Sequence, residues 1–509
     1  MFIYIIVILY LSFYIFKKWR YNYWQSKGVY ATEPNFPYGH LEDVMKGKKK
    51  RFELYDELYK TLKKKGLKHG GLYEGLTPTF VPVEQDLIKR VFLKDFQHFV
   101  DHGTYSNPAA DPLTGGLFQL EGEPWRNHRA KLTPTFTTGK MKMMFHAFVE
   151  CSRRLDGLLE KEARSGEPLH VKEILARFTS DIIGSVAFGI ECNCMNEPDN
   201  EFRRMCTKAF NLNGKLKKLA HRYCPHWMLK ALHFKLNDPE VEKFFFDLVS
   251  DTIKYREDNK ATRKDFLQML IELKNTGSVS EGESVQQVGK TAGTPYFSLN
   301  EIVAHSFTFF LAGFETSATT MCFMVAELVL NPDVQEKLRK EIWKMLEKHN
   351  GELTYDAINE MVYLEQVLQE TLRKYPPIPI IPRICTKTYR VPGDDLTIEK
   401  GTSVQIPVRA IQRDPDIYPD PDKFDPDRWN PENNSRSNSG FYTFGEGPRV
   451  CIGMRFGKLE AKCGIIALLK NYKLTASDKM QLPLSLNSQF ISGVEGGVWV
   501  NMEKITKAK

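Results

Sequence analysis

The sequence predicts a mainly α-helical protein with small β-sheets, built as one large body behind an apolar N-terminal segment. Three observations carry that prediction. Apolar residues recur at helical spacing over long stretches, the longest running from the capping box Ser298-x-x-Glu301 to Asn331-Pro332, about thirty residues on. Strand-like alternation is confined to short runs such as Thr79-Phe80-Val81-Pro82-Val83, Tyr389 to Val391 and Ser403 to Pro407. No low-complexity linker divides the 509 residues into independent folding units.

Composition narrows the function classes. Hydrophobic residues make up 42% and charged residues 26%, ordinary for a packed core. The net charge of +8 is spread along the chain, too weak a bias for nucleic acid but suited to anionic lipid heads or an acidic protein partner. Nine cysteines form no closely spaced framework, and Cys192-x-Cys194 lacks neighbouring histidines, so reduced thiols facing a cytosol are expected.

Taken in order, Met1 to Phe16 is apolar or aromatic apart from Ser12, and Lys17-Lys18-Trp19-Arg20 follows. No charged stretch precedes it and no small-residue cleavage site follows. Residues 1–20 therefore read as an uncleaved signal anchor, slightly short of the ~20 apolar residues that cross a bilayer core, with Trp19, Tyr21, Tyr23 and Trp24 as an interfacial belt. The positive-inside rule puts the rest on the cytosolic side. Residues 21–40 read as a basic, proline-containing hinge, and 41–509 as the catalytic domain.

Residues 46–68 are lysine-rich, with Phe52, Leu54, Tyr55, Leu58 and Leu62 at amphipathic spacing, a solvated basic helix first and a lipid contact second. Asp86 to Leu93 has helical spacing. Asp101 to Leu120, rich in Gly, Pro and Asn, is a long loop of the functional kind. In Pro124-Trp125-Arg126-Asn127-His128-Arg129, Trp125 and Arg129 share a helix face, which alone describes a surface aromatic with a basic neighbour. Val171 to Ile190 reads as a core helix. The basic and aromatic mixture at 205–240 reads by itself as a plain solvated connector, and Thr276 to Pro295 fits a surface loop.

Inside the longest helix, Ala312-Gly313-Phe314-Glu315-Thr316-Ser317 breaks local design rules. Gly costs about 1 kcal/mol in a helix interior, and a buried Glu–Thr pair costs more unless satisfied. At 100° per residue His305, Thr308, Phe309, Ala312 and Thr316 fall within roughly 80° of arc, forming one stripe. Glu301, His305, Glu315 and Glu327 argue against a second membrane span. Farther on, Glu370 and Arg373 stand at i, i+3 away from the Leu364/Val367/Leu368 stripe, so periodicity alone makes them a surface pair. Pro376-Pro377 stops that helix, and Ile378 to Arg383 runs extended.

Phe444-Gly445-Glu446-Gly447-Pro448-Arg449-Val450-Cys451-Ile452-Gly453 sets one cysteine in a Gly- and Pro-rich turn at a helix start, whose free N–H groups favour the thiolate. A nucleophile needs a base, and Arg449 and Arg455 accept no proton. Zinc needs partner ligands, and Cys463 alone is near. Cys451 reads as a lone axial ligand, its glycines letting backbone approach a flat cofactor and Arg449 meeting an anion.

This stretch resembles the haem-binding signature Phe-x-x-Gly-x-Arg-x-Cys-x-Gly of the cytochrome P-450 superfamily, with every fixed position present. Four further patterns agree in order. They are Trp-x-x-x-Arg at Trp125 and Arg129, Ala-Gly-x-Glu-Thr-Ser at 312–317, Glu-x-x-Arg at Glu370 and Arg373, and a Pro-x-Arg segment at Pro426-Asp427-Arg428-Trp429. Asp427 and Trp429 depart mildly from the usual Glu and Phe.

The resemblance implies the P-450 fold from residue 31 onward, with non-covalent haem b bound through Cys451, bordered by Phe444, and Trp125, Arg129, Arg383 and Arg449 near its carboxylates. It implies that Gly313 leaves room for dioxygen, that Thr316 and Glu315 manage protons, and that Glu370, Arg373 and Arg428 form a buried core. Phe118, Thr308, Phe309, Ala312, Ile380 and Phe490 would line the substrate pocket, with residues 205–240 as its roof, the equal alternative to a plain connector. Within the superfamily the anchor and the Ala-Gly-Phe-Glu-Thr-Ser run look like the insect microsomal detoxification branch. The implied reaction inserts one oxygen atom of O2 into an apolar small molecule. Electrons would come from NADPH–cytochrome reductase on the endoplasmic reticulum membrane, with cytochrome b5 as an optional donor. A peroxide isomerase or lyase and a non-enzymatic haem binder are the other readings, and proton-handling residues serve neither.

Overall fold

The computed structural model describes residues 2–210, 217, 220, 224–276, 296–430, 432, 440–487 and 490–505. The expected loop at 277–295, part of the 205–240 stretch and residues 488 and 489 lie outside the described residues.

Helix α1 (Phe2–Tyr21) opens the chain, and Tyr4, Tyr14, Ile15, Phe16 and Trp19 stand exposed along it. Within 21–40 the reading of Trp24 as part of an interfacial belt is corrected. Trp24 is fully buried, with its indole N–H donating to Leu72 O at 3.0 Å and its backbone N–H to the Tyr73 hydroxyl at 3.0 Å. A β-carbon at Gly71 would lie 2.5 Å from that ring, so glycine makes the room. Trp24 thus belongs to the core rather than to an interfacial belt.

Helix α2 (Arg51–Lys64) buries Phe52, Tyr55, Leu58, Tyr59 and Leu62 and turns its lysines outward, as the spacing requires. Strand β1 (His69–Glu74) returns antiparallel as β2 (Thr77–Pro82). Helices α3 (Gly122–Leu132) and α4 (Thr138–Ser165) follow, then the short β3 (Leu169–His170), α5 (Val171–Ile183) and α6 (His226–Ala231). Around α6, Trp227 and Leu232 are among the most exposed apolar side chains.

Helix α7 (Leu299–Leu330) starts on the expected capping box, Ser298 N–H donating to Glu301 at 2.7 Å. Its residues are buried along nearly the whole length, packed on α5, on the turn at Pro112–Gly115 and on the later α9. Length and apolarity here reflect a core position. After α8 (Val362–Lys374), β4 (Ile381–Ile384) joins the first sheet, β5 (Tyr389–Arg390) pairs with β6 (Thr397–Ile398), and β7 (Ser403–Ile406) completes the order β1-β2-β7-β4. Strand β7 lies parallel to β2 and antiparallel to β4, where Arg383 pairs with Val404. Helix α9 (Met454–Leu469) packs on α4 and α7, and β8 (Tyr472–Ala476) and β9 (Trp499–Lys504) close a sheet with β3. A large helical core surrounds α7, and a smaller one lies under the four-stranded sheet.

Candidate active site

The turn before α9 is wound tightly around Cys451. Its backbone N–H donates to Phe444 O at 2.8 Å, and Gly445 and Gly447 take φ of +70° and +75°. A β-carbon on Gly447 would meet Phe92 O at 2.0 Å, so both conformation and space demand glycine there. Cys451 is open to a water-sized sphere although protein encloses it, and it therefore faces an internal space. The expectation of a thiolate stabilised by the helix start needs correction. Burial raises the Cys451 pKa, and the Gly453 N–H and Arg129 only oppose it. A deprotonated sulfur here depends on a metal cation taking the place of its proton.

Ala312 is an exposed residue in the middle of the otherwise buried α7. One turn later Ser317 lies over α9, 3.7 Å from where a β-carbon of Gly457 would stand.

Near Cys451 lies a cluster of cations that is only partly compensated. Arg383 is 1% exposed, its Nη1 donates only to the carbonyl of Pro382 at 2.9 Å, and its Nε has no partner. Arg449 donates to Val100 O at 2.9 Å and Leu120 O at 2.7 Å, and its nearest carboxylate, Asp101, is 3.5 Å away. Its guanidinium rests 4.0 Å above the Trp125 ring. Burial pulls both arginines down to about 9, and for Arg449 the next cause is Arg383 itself. Both stay charged at neutral pH. Buried cations with so little counter-charge carry a large desolvation cost: among the described residues Arg449 has only Asp101 and Arg383 has no carboxylate partner, so the cluster is suited to a further anion. Arg129, half-buried on α3, has its pKa lowered by burial and lies close enough to Cys451 to feel its charge once the sulfur is deprotonated. A flat cofactor with carboxylates at its edge and a metal for the sulfur fits this donor set.

A family model described as Cytochrome P450 matches residues 38–498. The chain is 39% identical over 503 residues to probable cytochrome P450 6a13 of Drosophila melanogaster, covering 98% of this chain and 97% of the relative. It is 38% identical over 496 residues to cytochrome P450 6a2 of the same fly (96% of each), and 35% identical over 502 residues to cytochrome P450 6A1 of Musca domestica (97% and 96%). The chain belongs to the cytochrome P450 family. As a cytochrome P450 it is a haem-thiolate monooxygenase carrying non-covalent haem b with its iron.

In this P450 the α7 motif is arranged for more than one purpose. Thr316 donates its hydroxyl to Ala312 O one turn back. Glu315 accepts from Lys172 Nζ of α5 at 2.7 Å, and the same ammonium donates to Thr319 Oγ1 at 2.7 Å. Gly313 is needed for packing, since a β-carbon would lie 2.6 Å from Ile183 and 3.7 Å from Phe456. Close helix contact is thus one reason for glycine at this position. His305, the first member of the stripe, is a core histidine bonded to His128.

The Glu370–Arg373 pair corrects the surface reading given by periodicity. Both are fully buried, joined through two contacts of 2.8 Å. Arg428 Nε at 3.3 Å, Trp429 Nε1 at 2.9 Å and the Asp425 N–H at 3.0 Å complete the carboxylate's partners.

Of the expected pocket residues, Thr308 lies against Gly116 of the 101–120 loop and donates to Ala304 O at 2.8 Å. Phe118 meets Phe490 edge-on at 6.4 Å. Phe309 instead joins an aromatic cluster with Phe266 at 4.2 Å and Phe136 at 4.9 Å. Ile380 is a correction: at 5% exposure, just before β4, it packs into the smaller core. Phe444 is half-buried against the large core. His102 was not anticipated. Its Nδ1–H donates to Phe118 O at 3.0 Å, and burial, Arg383 and Arg449 hold it neutral, well below the usual imidazole range. No periodicity or spacing singles it out.

Proposed function

We propose that this P450 is an anchored, cytosol-facing enzyme of the endoplasmic reticulum membrane that oxidises apolar small molecules, using electrons passed from NADPH by a membrane-bound reductase. The observation that carries the reading is the pairing of an incompletely compensated cation cluster near Cys451 with a threonine hydroxyl and a carboxylate, Thr316 and Glu315, on α7. In this reading residues 1–20 anchor the chain, 21–40 lead into the domain, and the domain proper runs from 41 to 509. The basic face near Cys451, where Arg455 is exposed, receives the reductase, and cytochrome b5 is an optional second donor. Foreign toxins such as plant compounds or insecticides are the favoured substrate class, ahead of endogenous lipids and hormones.

When bound, haem supplies the activation of dioxygen. Cys451 provides the axial sulfur. Arg383, Arg449 and Arg129, with Trp125 beneath Arg449, hold the cofactor's carboxylates and gain counter-charge by doing so. The Thr316 hydroxyl holds a proton at the face of α7 that looks into the site, anchored to a carbonyl it can release. Glu315, steered by Lys172, is placed one residue away to replenish it. Phe118, Phe490 and Ala312 present apolar surface that excludes water from the substrate's side.

The experiment is reconstitution with reductase, NADPH and a panel of apolar toxins, pesticides and fatty acids. Oxygen- and substrate-dependent NADPH consumption with oxygenated product is expected. Conversion of a peroxide substrate without reductase, and none with it, would replace this reading by an isomerase.

A further inference from the structure

The first turns of α7 carry a second buried polar feature for which the proposed reaction has no use. His128 of α3 stands between two residues of α7, its Nε2 3.0 Å from Glu301 Oε1 and its Nδ1 2.8 Å from His305 Nε2. His305 is fully buried and His128 nearly so. The ring of Phe297 stands edge-on to both imidazoles at 5.3 Å, and Lys131 of α3 caps Phe297 and Tyr296 at 5.0 and 4.1 Å. Glu301 is doubly engaged, because its other oxygen accepts from the Ser298 N–H at 2.7 Å and hydroxyl at 2.9 Å. One chain thus joins the start of α7, the middle of α3 and the next turn of α7.

The same turn of α3 bears Trp125 and Arg129, which face Arg449 and Cys451. Rotating or sliding α3 would move both away from the cysteine turn. We propose that His128, held between Glu301 and His305, is the positioning residue that locks α3 against α7 and thereby keeps Trp125 and Arg129 in place for the haem carboxylates. This rests on the reading that α3 holds those carboxylates.

Proton counting gives the lock its pH behaviour. With both imidazoles neutral, His128 Nε2–H donates to Glu301, His305 Nε2–H donates to His128 Nδ1, and His305 Nδ1 is left bare and unpartnered, as observed. One added proton still leaves a single hydrogen between the two facing nitrogens, with both bonds intact. A second proton puts N–H groups on both facing nitrogens and breaks the bond between the rings.

The groups facing His305 are His128 and Lys131 from α3 and Glu301 from its own helix. Burial first, then His128 and Lys131, lower His305 to about 3, while Glu301 opposes them. Although burial alone would raise it, His128 and Ser298 hold Glu301 at about 2, so it stays ionised. A histidine whose folded pKa is depressed contributes stability above its ordinary value of 6.5 and loses it as pH falls from there toward 3. The lock therefore weakens in acid.

The test is the rate at which the holoprotein loses haem to an excess of a haem-acceptor protein, followed from pH 7 downward beside the unfolding midpoint. His128→Leu and His305→Leu are expected to shed haem about tenfold faster at pH 7, the size seen when a partner outside the ligand shell is removed. His305→Gln keeps an amide donor for His128 Nδ1 and does not titrate. It should hold haem like the wild type at pH 7 and lose the acid acceleration. Arg129→Leu tests the underlying reading separately, and if it keeps haem as firmly as wild type, α3 does not hold the carboxylates and the lock has nothing to position. Rapid loss in Arg129→Leu with wild-type retention in His128→Leu would overturn the lock alone. Equal rates in His305→Gln and His305→Leu, or a lower unfolding midpoint with unchanged haem loss, would do the same.

Discussion

Two buried clusters of charge in this chain differ in one respect. Around Glu370, a single carboxylate accepts from Arg373, Arg428, the Trp429 indole and the Asp425 amide, so that every charge is answered within the protein. Around Arg383 and Arg449 only Arg449 has a carboxylate, Asp101 at 3.5 Å, and an Arg383 nitrogen has no partner. Burial is comparable; compensation is not. A self-satisfied cluster is architecture, whereas an unsatisfied one marks where an anionic ligand completes the fold.

The sharpest way to break this contrast lies between the clusters. Cys451→Ala removes the axial sulfur, and purified protein should lose its thiolate-type haem absorption altogether; a retained thiolate spectrum would place the ligand elsewhere. Next in size, Glu370→Ala strands Arg373 and Arg428 in the interior. It should cost about 3–5 kcal/mol in urea unfolding, the usual result of removing one member of a buried pair. Arg383→Leu should behave oppositely. The cofactor-free protein should unfold within about 1 kcal/mol of wild type, because an unpaired buried cation is removed, while haem affinity falls about tenfold. Equal damage to stability from both substitutions would erase the distinction.

The smallest effect is reserved for Thr316→Ala, which touches neither cluster. Haem content should stay the same, while product formed per NADPH falls and peroxide release rises. An unchanged coupling ratio takes Thr316 out of proton handling.

The contrast also explains what the sequence alone could and could not disclose. Cys451 and its glycines were legible because a tight turn packs its requirements into ten consecutive residues, and the capping box of α7 is equally local. The Glu370 cluster was misread from periodicity because its cover, residues 412 to 429, arrives some forty to sixty positions later. Trp24 looked like a membrane-interface residue until β1 supplied the glycine that admits its ring. Ile380 looked like pocket wall for want of the smaller core it packs into. Lys172 and His102 were beyond reach, since nothing near either in the chain refers to Glu315 or to Arg383. Helix starts and metal-turn motifs are written in neighbours, while charge compensation is written in contacts.

Reduced, carbon monoxide-bound protein offers the plainest measurement, with Cys451 intact and replaced by His. A sulfur-ligated haem gives the red-shifted Soret band characteristic of thiolate coordination in the native chain, and Cys451→His converts it to the imidazole type. An imidazole-type band from the native chain, with no change on replacement, would contradict the assignment of Cys451 and with it the purpose ascribed to the partly compensated arginines.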